Sequence, residues 1–198
     1  AVMVLGLGMG LKSEQYIIVI LSLVIGAVIG EMLRLEAHLN GLGAWLEKKF
    51  GNSGQGSTAE AFVTATLVFV IGAMAILGAL DSGIRGDHTV LYTKSVLDGF
   101  TALILSSTLG FGVIFSVVPV ILYEGAIALF ATQINRLVPA PVLHSFITEM
   151  TATGGIMIFA IGLNIAGLAK IRVANLLPGI VVVAVLIGLL HAYHTVFG

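Results

Sequence analysis

Five ionisable side chains interrupt the apolar stretches of this chain: Glu31, Lys94, Asp98, Glu124 and Glu149. Lys94 and Asp98 are four residues apart, so a helix puts them on one face where they can pair. Glu124 follows Tyr123 in an apolar run, and Glu149 stands just before "TATGG", Thr151–Gly155. A charge at the centre of a bilayer costs about 2.5–3.5 kcal/mol on insertion scales, so a carboxylate there is a proton carrier or cation ligand by default. Glu31 has Arg34 one turn later, which fits a place at the headgroups. Thr151, Thr153, Gly154 and Gly155 offer hydroxyls and bare backbone where a helix can unwind around a solute. Ordinary small-residue helix packing uses the same residues. Asn164 can bond a neighbouring helix or a solute. The candidate substrate-binding set is therefore Lys94, Asp98, Glu124, Glu149, Thr151, Thr153 and Asn164.

Other chemistries find little here. The chain has no cysteine, which excludes disulfides, thiolate metal sites and thiol catalysis. Its net charge of −1 leaves no nucleic-acid footprint. "GLGMG" (Gly6–Gly10) lacks the third spaced glycine, the preceding strand and the downstream acid of a dinucleotide loop. Asp81, Asp87 and His88 lie in a Gly-containing polar stretch and read as turn formers rather than cation ligands. His191 and His194 are three apart with no carboxylate partner, so an interfacial place is their reading. No Ser/His/Asp order or zinc motif emerges. Neither an enzyme, nor a metal site, nor a cofactor is expected.

The elements that must position the charged residues follow from composition. Of 198 residues, 58% are hydrophobic and 10% charged, with a mean hydropathy of +1.11. Soluble domains carry about 25% charged residues, so the apolar excess must face lipid. Ala61–Leu80, Gly99–Tyr123, Met150–Ala169 and Val173–Gly198 hold no Asp, Glu, Lys or Arg, and about 20 apolar residues span a bilayer core. The fold class is all-α: a polytopic helical membrane protein with six to seven transmembrane helices. The crossings read as Tyr16–Arg34, Glu60–Leu80, Tyr92 to a break at "LGFG" (Leu109–Gly112), the run from there to Asn135 with Pro119 as a kink, His144–Leu168, and Arg172–Phe197 with Pro178 inside. Ala1–Leu11 reads as the end of a helix that starts upstream. Leu35, Leu39, Leu42, Leu46 and Phe50 recur at helical spacing among charges, with Trp45, which predicts a helix lying in the interface. "GNSGQGST" (Gly51–Thr58) is a flexible linker by composition.

The phrase "AVMVLGLGMGLKSEQYIIVILSLVIG" is matched by "GIMIFAIGLNIAGLAKIRVANLLPGI" near the other end. At a constant offset Met3 falls on Met157, Gly8 on Gly162, Ile17 on Ile171, Val19 on Val173 and Leu23 on Leu177. An odd number of crossings separates the two phrases if the chain breaks at Leu109–Gly112, so they enter from opposite faces as an inverted-topology repeat. The segmentation is one integral membrane domain, 1–198. Within it, 1–34 is the truncated first copy, 35–58 the interfacial helix and linker, 59–114 a central helix pair, and 115–198 the second repeat region.

"FVTATLVFVIGAMAILGALDSGIRGDHTVLYTKSVLDG" (Phe62–Gly99), with "STLGFGVIFSVVPVILYEG" and "GGIMIFAIGLN…KIRVANLLPG", resembles the prokaryotic membrane family called domain of unknown function 554. The resemblance covers nearly the whole chain. It implies the cytoplasmic membrane of a prokaryote, further N-terminal sequence, and glutamine more often than glutamate at the position of Glu124. It supplies no substrate. The expected function is secondary transport of a small solute or ion by alternating access. The alternative is a channel-like or assembly protein with no transport cycle. Expected partners are the lipid bilayer, the solute or ion, and a second copy through glycine-rich helix faces.

Overall fold

The computed structural model describes residues 2–50 and 58–197; the predicted linker, apart from Thr58, lies outside them. The described residues form helices α1 (Val2–Gly10), α2 (Tyr16–Met32), α3 (Leu35–Phe50), α4 (Thr58–Val70), α5 (Ala73–Arg85), α6 (Thr89–Leu109), α7 (Val117–Leu129), α8 (Ala131–Leu137), α9 (Ala140–Ile165) and α10 (Pro178–Phe197). Two 3₁₀ segments, Phe111–Ser116 and Val173–Leu176, precede α7 and α10. Among the described residues, three spans are long and apolar enough to cross a membrane: Phe111–Leu129, Ala140–Ile165 and Val173–Thr195. Two bent pairs, α2 with the start of α3 and α4 with α5, raise that to five if each is one span.

Several boundaries differ from the sequence reading for local reasons. The run Glu60–Leu80 is two helices with a 59° bend between them, broken at Ile71–Gly72. α5 continues past Leu80 to Arg85, and Asp81 and Arg85 pair across its last turn at 3.5 Å. The break at Leu109–Gly112 is present: Gly110 takes φ 87°, a region glycine enters without the Cβ clash. Pro119, expected as a kink, is not in a helix interior. Pro119 lies in the first turn of α7 and Pro178 opens α10, where a missing N–H breaks no helical bond. α3 matches its expected extent, and Lys49 lies 4.9 Å from the Trp45 ring centre.

The chain forms two compact units, residues 1–36 with 138–198, and residues 37–137. In the first, α1 runs antiparallel to α9, with Gly6 against Gly155 and Phe159, and Met3 against Gly162. A Cβ on Gly155 would come 2.5 Å from the Gly10 amide nitrogen, so only glycine permits this approach. α2 lies on α10 and on Val173–Leu176 in the same way, with Gly30 against the Asn175 backbone. The two phrases that match in sequence thus become neighbours over α1 and α9. Beyond that they differ in conformation: Ile17, Val19 and Leu23 are on α2, whereas Ile171 precedes a 3₁₀ segment that begins at Val173.

The turn between α1 and α2 is held from α9. The Ser13 hydroxyl donates to Glu149 at 2.5 Å, and the amides of Glu14 and Gln15 donate to it at 2.9 Å each. Glu149 is 1% exposed. Its charge stands at the N-terminus of α2, where orphan amides and the helix dipole favour an anion. At the other end of α2, Glu31 accepts from Arg172 at 2.5 Å and from Asn175 at 2.6 Å. Glu36 donates its amide to the Asn175 side chain at 2.8 Å and accepts from the Ala174 amide at 3.1 Å.

In the second unit α4 and α5 form the centre. Ala61, Ala65, Ala75 and Ala79 are fully buried, and these small residues let other elements come close. Phe111–Ser116 packs on α4, and α6, α7 and α8 each pack on α5.

Replacing Glu149 with alanine strands three donors; it should cost about 2–4 kcal/mol and lower the unfolding midpoint in detergent. An unchanged midpoint would show that the turn does not need its anion. Gly155→Val should cost about 1–3 kcal/mol or more by overpacking. Gly8, whose Cβ would meet open space, should accept alanine with little change in the same assay.

Candidate functional site

α6 and α7 both rest on α5, and between them is a cavity of about 470 Å³ whose lining includes Phe69 from α4. That volume is within the range of about 300–1,000 Å³ typical of small-ligand sites. Lys94 and Asp98 enter it from the second and third turns of α6, and Glu124 from α7. Ser106 lies about 18 Å further along α6 at 1.5 Å per residue, so the cavity is long. One end is charged; the other is formed by Ser106, Phe111 and Ser116, with aliphatic walls between.

The charged end has one cation between two anions. The Lys94 side chain is 8% exposed, Glu124 19% and Asp98 29%. Lys94 Nζ is paired with Asp98 Oδ2 and stands 2.9 Å from Glu124 Oε1. The second approach is an ion pair by distance, but its angles leave the buried Glu124 Oε1 without a hydrogen bond. If all three groups are ionised the charge is −1, in an environment where each unbalanced charge is costly.

The remaining candidates do not join this cluster. Glu149 is committed to the α1–α2 turn. Thr151 and Thr153 sit on an unbroken α9, so "TATGG" is not unwound; both side chains are buried and neither hydroxyl has a hydrogen-bond partner. Gly155 serves the contact with α1. Asn164 clasps its own loop, donating to the Ile171 carbonyl at 2.7 Å and accepting from the Ile171 amide at 2.8 Å. Among the described residues no group of three or more His, Asp or Glu is arranged to hold a metal. Asp87 accepts from the Thr89 hydroxyl at 2.7 Å and the Thr89 amide at 2.9 Å, bonds that hold its carboxyl below the ordinary range. His88 meets the Ser82 hydroxyl at 2.8 Å. Both fit the reading of these residues as turn formers.

Sequence reasoning missed the rest of the cavity wall. The signal was available: Leu91, Ser95, Asp98, Ala102 and Ser106 recur at three- and four-residue intervals, a small and polar stripe along one face of α6. It also missed Ser13, Glu36, Arg172 and Asn175, whose partners are more than 130 residues distant in the chain.

The comparisons agree with the apolar helices in pointing to a membrane. Over 181 residues the chain is 36% identical to the uncharacterised membrane protein YdfK of Bacillus subtilis, covering 91% of this chain and 74% of that protein. Over 182 residues it is 31% identical to the uncharacterised protein YqgA of Escherichia coli, covering 89% and 76%. No solved structure matches. The family model for the protein of unknown function DUF554 matches residues 1–188, and the chain therefore belongs to the DUF554 family.

Proposed function

We propose that this chain is a multi-pass protein of the prokaryotic cytoplasmic membrane that carries a small solute or ion by alternating access. The observation that carries the reading is the nine-tenths-buried Lys94 between Asp98 and Glu124 in a long cavity. Ionisable groups at membrane depth are functional-site candidates by default, because keeping them there is costly. The antiparallel contact of α1 with α9 supports the inverted repeat, since two copies entering from opposite faces would meet head to tail. Six crossings require both bent pairs and α6 to span, and seven require α1 as well. The 21-residue α6 is long enough, and its two charges, Lys94 and Asp98, face the cavity.

A protein without a transport cycle, assembling with further copies, is the second reading. It is favoured by the continuous α9, because many transporters unwind a helix at the site. Gly26 and Gly30, the GxxxG pair of α2, pack on Gly179 and Asn175 of this chain and are not free to pair copies. Assembly would have to use other faces, such as the one around Gly188, whose Cβ would meet open space.

Flux in proteoliposomes tests the first reading. Uptake from a solute and ion panel should saturate with concentration and fall at least tenfold in the Asp98→Asn/Glu124→Gln double variant. A Ser53→Ala control in the linker should leave uptake unchanged. Absence of saturable flux for every solute, with protein correctly folded, would transfer the case to the second reading.

A further inference from the structure

The cavity between α6 and α7 has a property that narrows its ligand. It offers two carboxylates to one ammonium, and that ammonium is tethered: Lys94 reaches the cavity by a flexible stem from the same helix as Asp98. Away from this end the lining is aliphatic and aromatic, with Phe69, Phe111, Ile114 and Val117. The Asp98 and Glu124 side chains are both more exposed than the lysine they flank and both line the cavity, while Glu124 Oε1 itself is buried against Lys94.

We propose that this cavity binds an amphiphilic monovalent organic cation, an alkyl- or arylalkylammonium. Its ammonium group sits with Asp98 and Glu124, and its apolar tail runs along α7 toward Phe111. Lys94 is a built-in counterion that holds the two carboxylates together and competes with the ligand for them. The identification rests on the transport reading only for the purpose of the site, and the binding itself stands apart from any flux. An anionic ligand would have one lysine to recognise it and two carboxylates to repel it. A neutral ligand would leave the surplus charge unanswered. A cation of this shape answers the charge at one end and covers apolar wall along the rest.

Isothermal titration of the purified full chain in micelles tests the assignment with phenethylammonium, its neutral analogue 2-phenylethanol and the anion 3-phenylpropionate. Phenethylammonium should bind, with the other two at least tenfold weaker. Asp98→Asn/Glu124→Gln should weaken the amine at least tenfold, and Lys94→Met should tighten it severalfold by removing the competitor. The comparison of ligands needs only the unaltered protein, so a variant that fails to fold does not remove the test. Equal or tighter binding of the anion, no binding of the amine at millimolar levels, or amine binding indifferent to the double variant would overturn the proposal. An aminophospholipid headgroup shares the ammonium chemistry. Competition from phosphatidylethanolamine but not phosphatidylcholine in nanodiscs would assign the ammonium to lipid, and no competition to a free amine; both results keep the cation. Amine binding without flux would leave this site standing and end the transport reading. Flux of an anion with no amine binding would do the reverse.

Discussion

A carboxylate removed from water must be answered by donors or cations close enough to replace its hydration, and this chain solves that problem in three different ways. Glu149 is answered by two backbone amides and a hydroxyl at the start of α2. Glu36, half-buried, is answered by the Ala174 amide, while Glu31, still 60% exposed, is held by Arg172 and Asn175. Asp98 and Glu124 are answered by a single shared lysine. In the first two cases the donors bring together chain segments far apart in sequence, and so these carboxylates set the fold of the 1–36 and 138–198 unit. In the third, the donors are too few, and the shortfall faces a cavity.

That contrast separates carboxylates whose partners are fixed by the backbone from those whose partner is mobile, a distinction that burial does not make. Glu149 is the most buried of these acids, yet its acceptor sites are taken by neighbours that cannot leave without unravelling a turn. Lys94 can move without breaking any backbone contact. A group that can exchange partners while the backbone stays in place is what a binding site needs.

Much of this was legible in the residues. The i, i+4 spacing of Lys94 and Asp98 puts them within pairing reach on any helix, and Glu124 stood out by charge alone. The break at Leu109–Gly112 was readable because two glycines in four residues punctuate an otherwise continuous apolar run. Local signals failed where a remote partner decides. Nothing near Glu149 in sequence says that the amides of Glu14 and Gln15 will claim it, and nothing near Asn164 says that its amide will serve Ile171. Pro119 reads as a kink and Pro178 as lying inside a crossing because the chain before and after each is equally apolar. The 3₁₀ segments that move both prolines to helix starts have no hydropathy signature of their own. The shared spacing of Ser116 and Asn175 three residues before these prolines marks a junction used once in each unit.

The glycine seam between α1 and α9 has a consequence for what holds it together. Two backbones this close make contact through peptide groups and Cα hydrogens rather than through interleaved aliphatic side chains. Attraction of that kind draws on dispersion and weak polar forces at short range, and expulsion of water contributes little to it. The seam is therefore matched to a solvent of hydrocarbon tails, where side-chain grease would gain nothing by changing one oily neighbour for another.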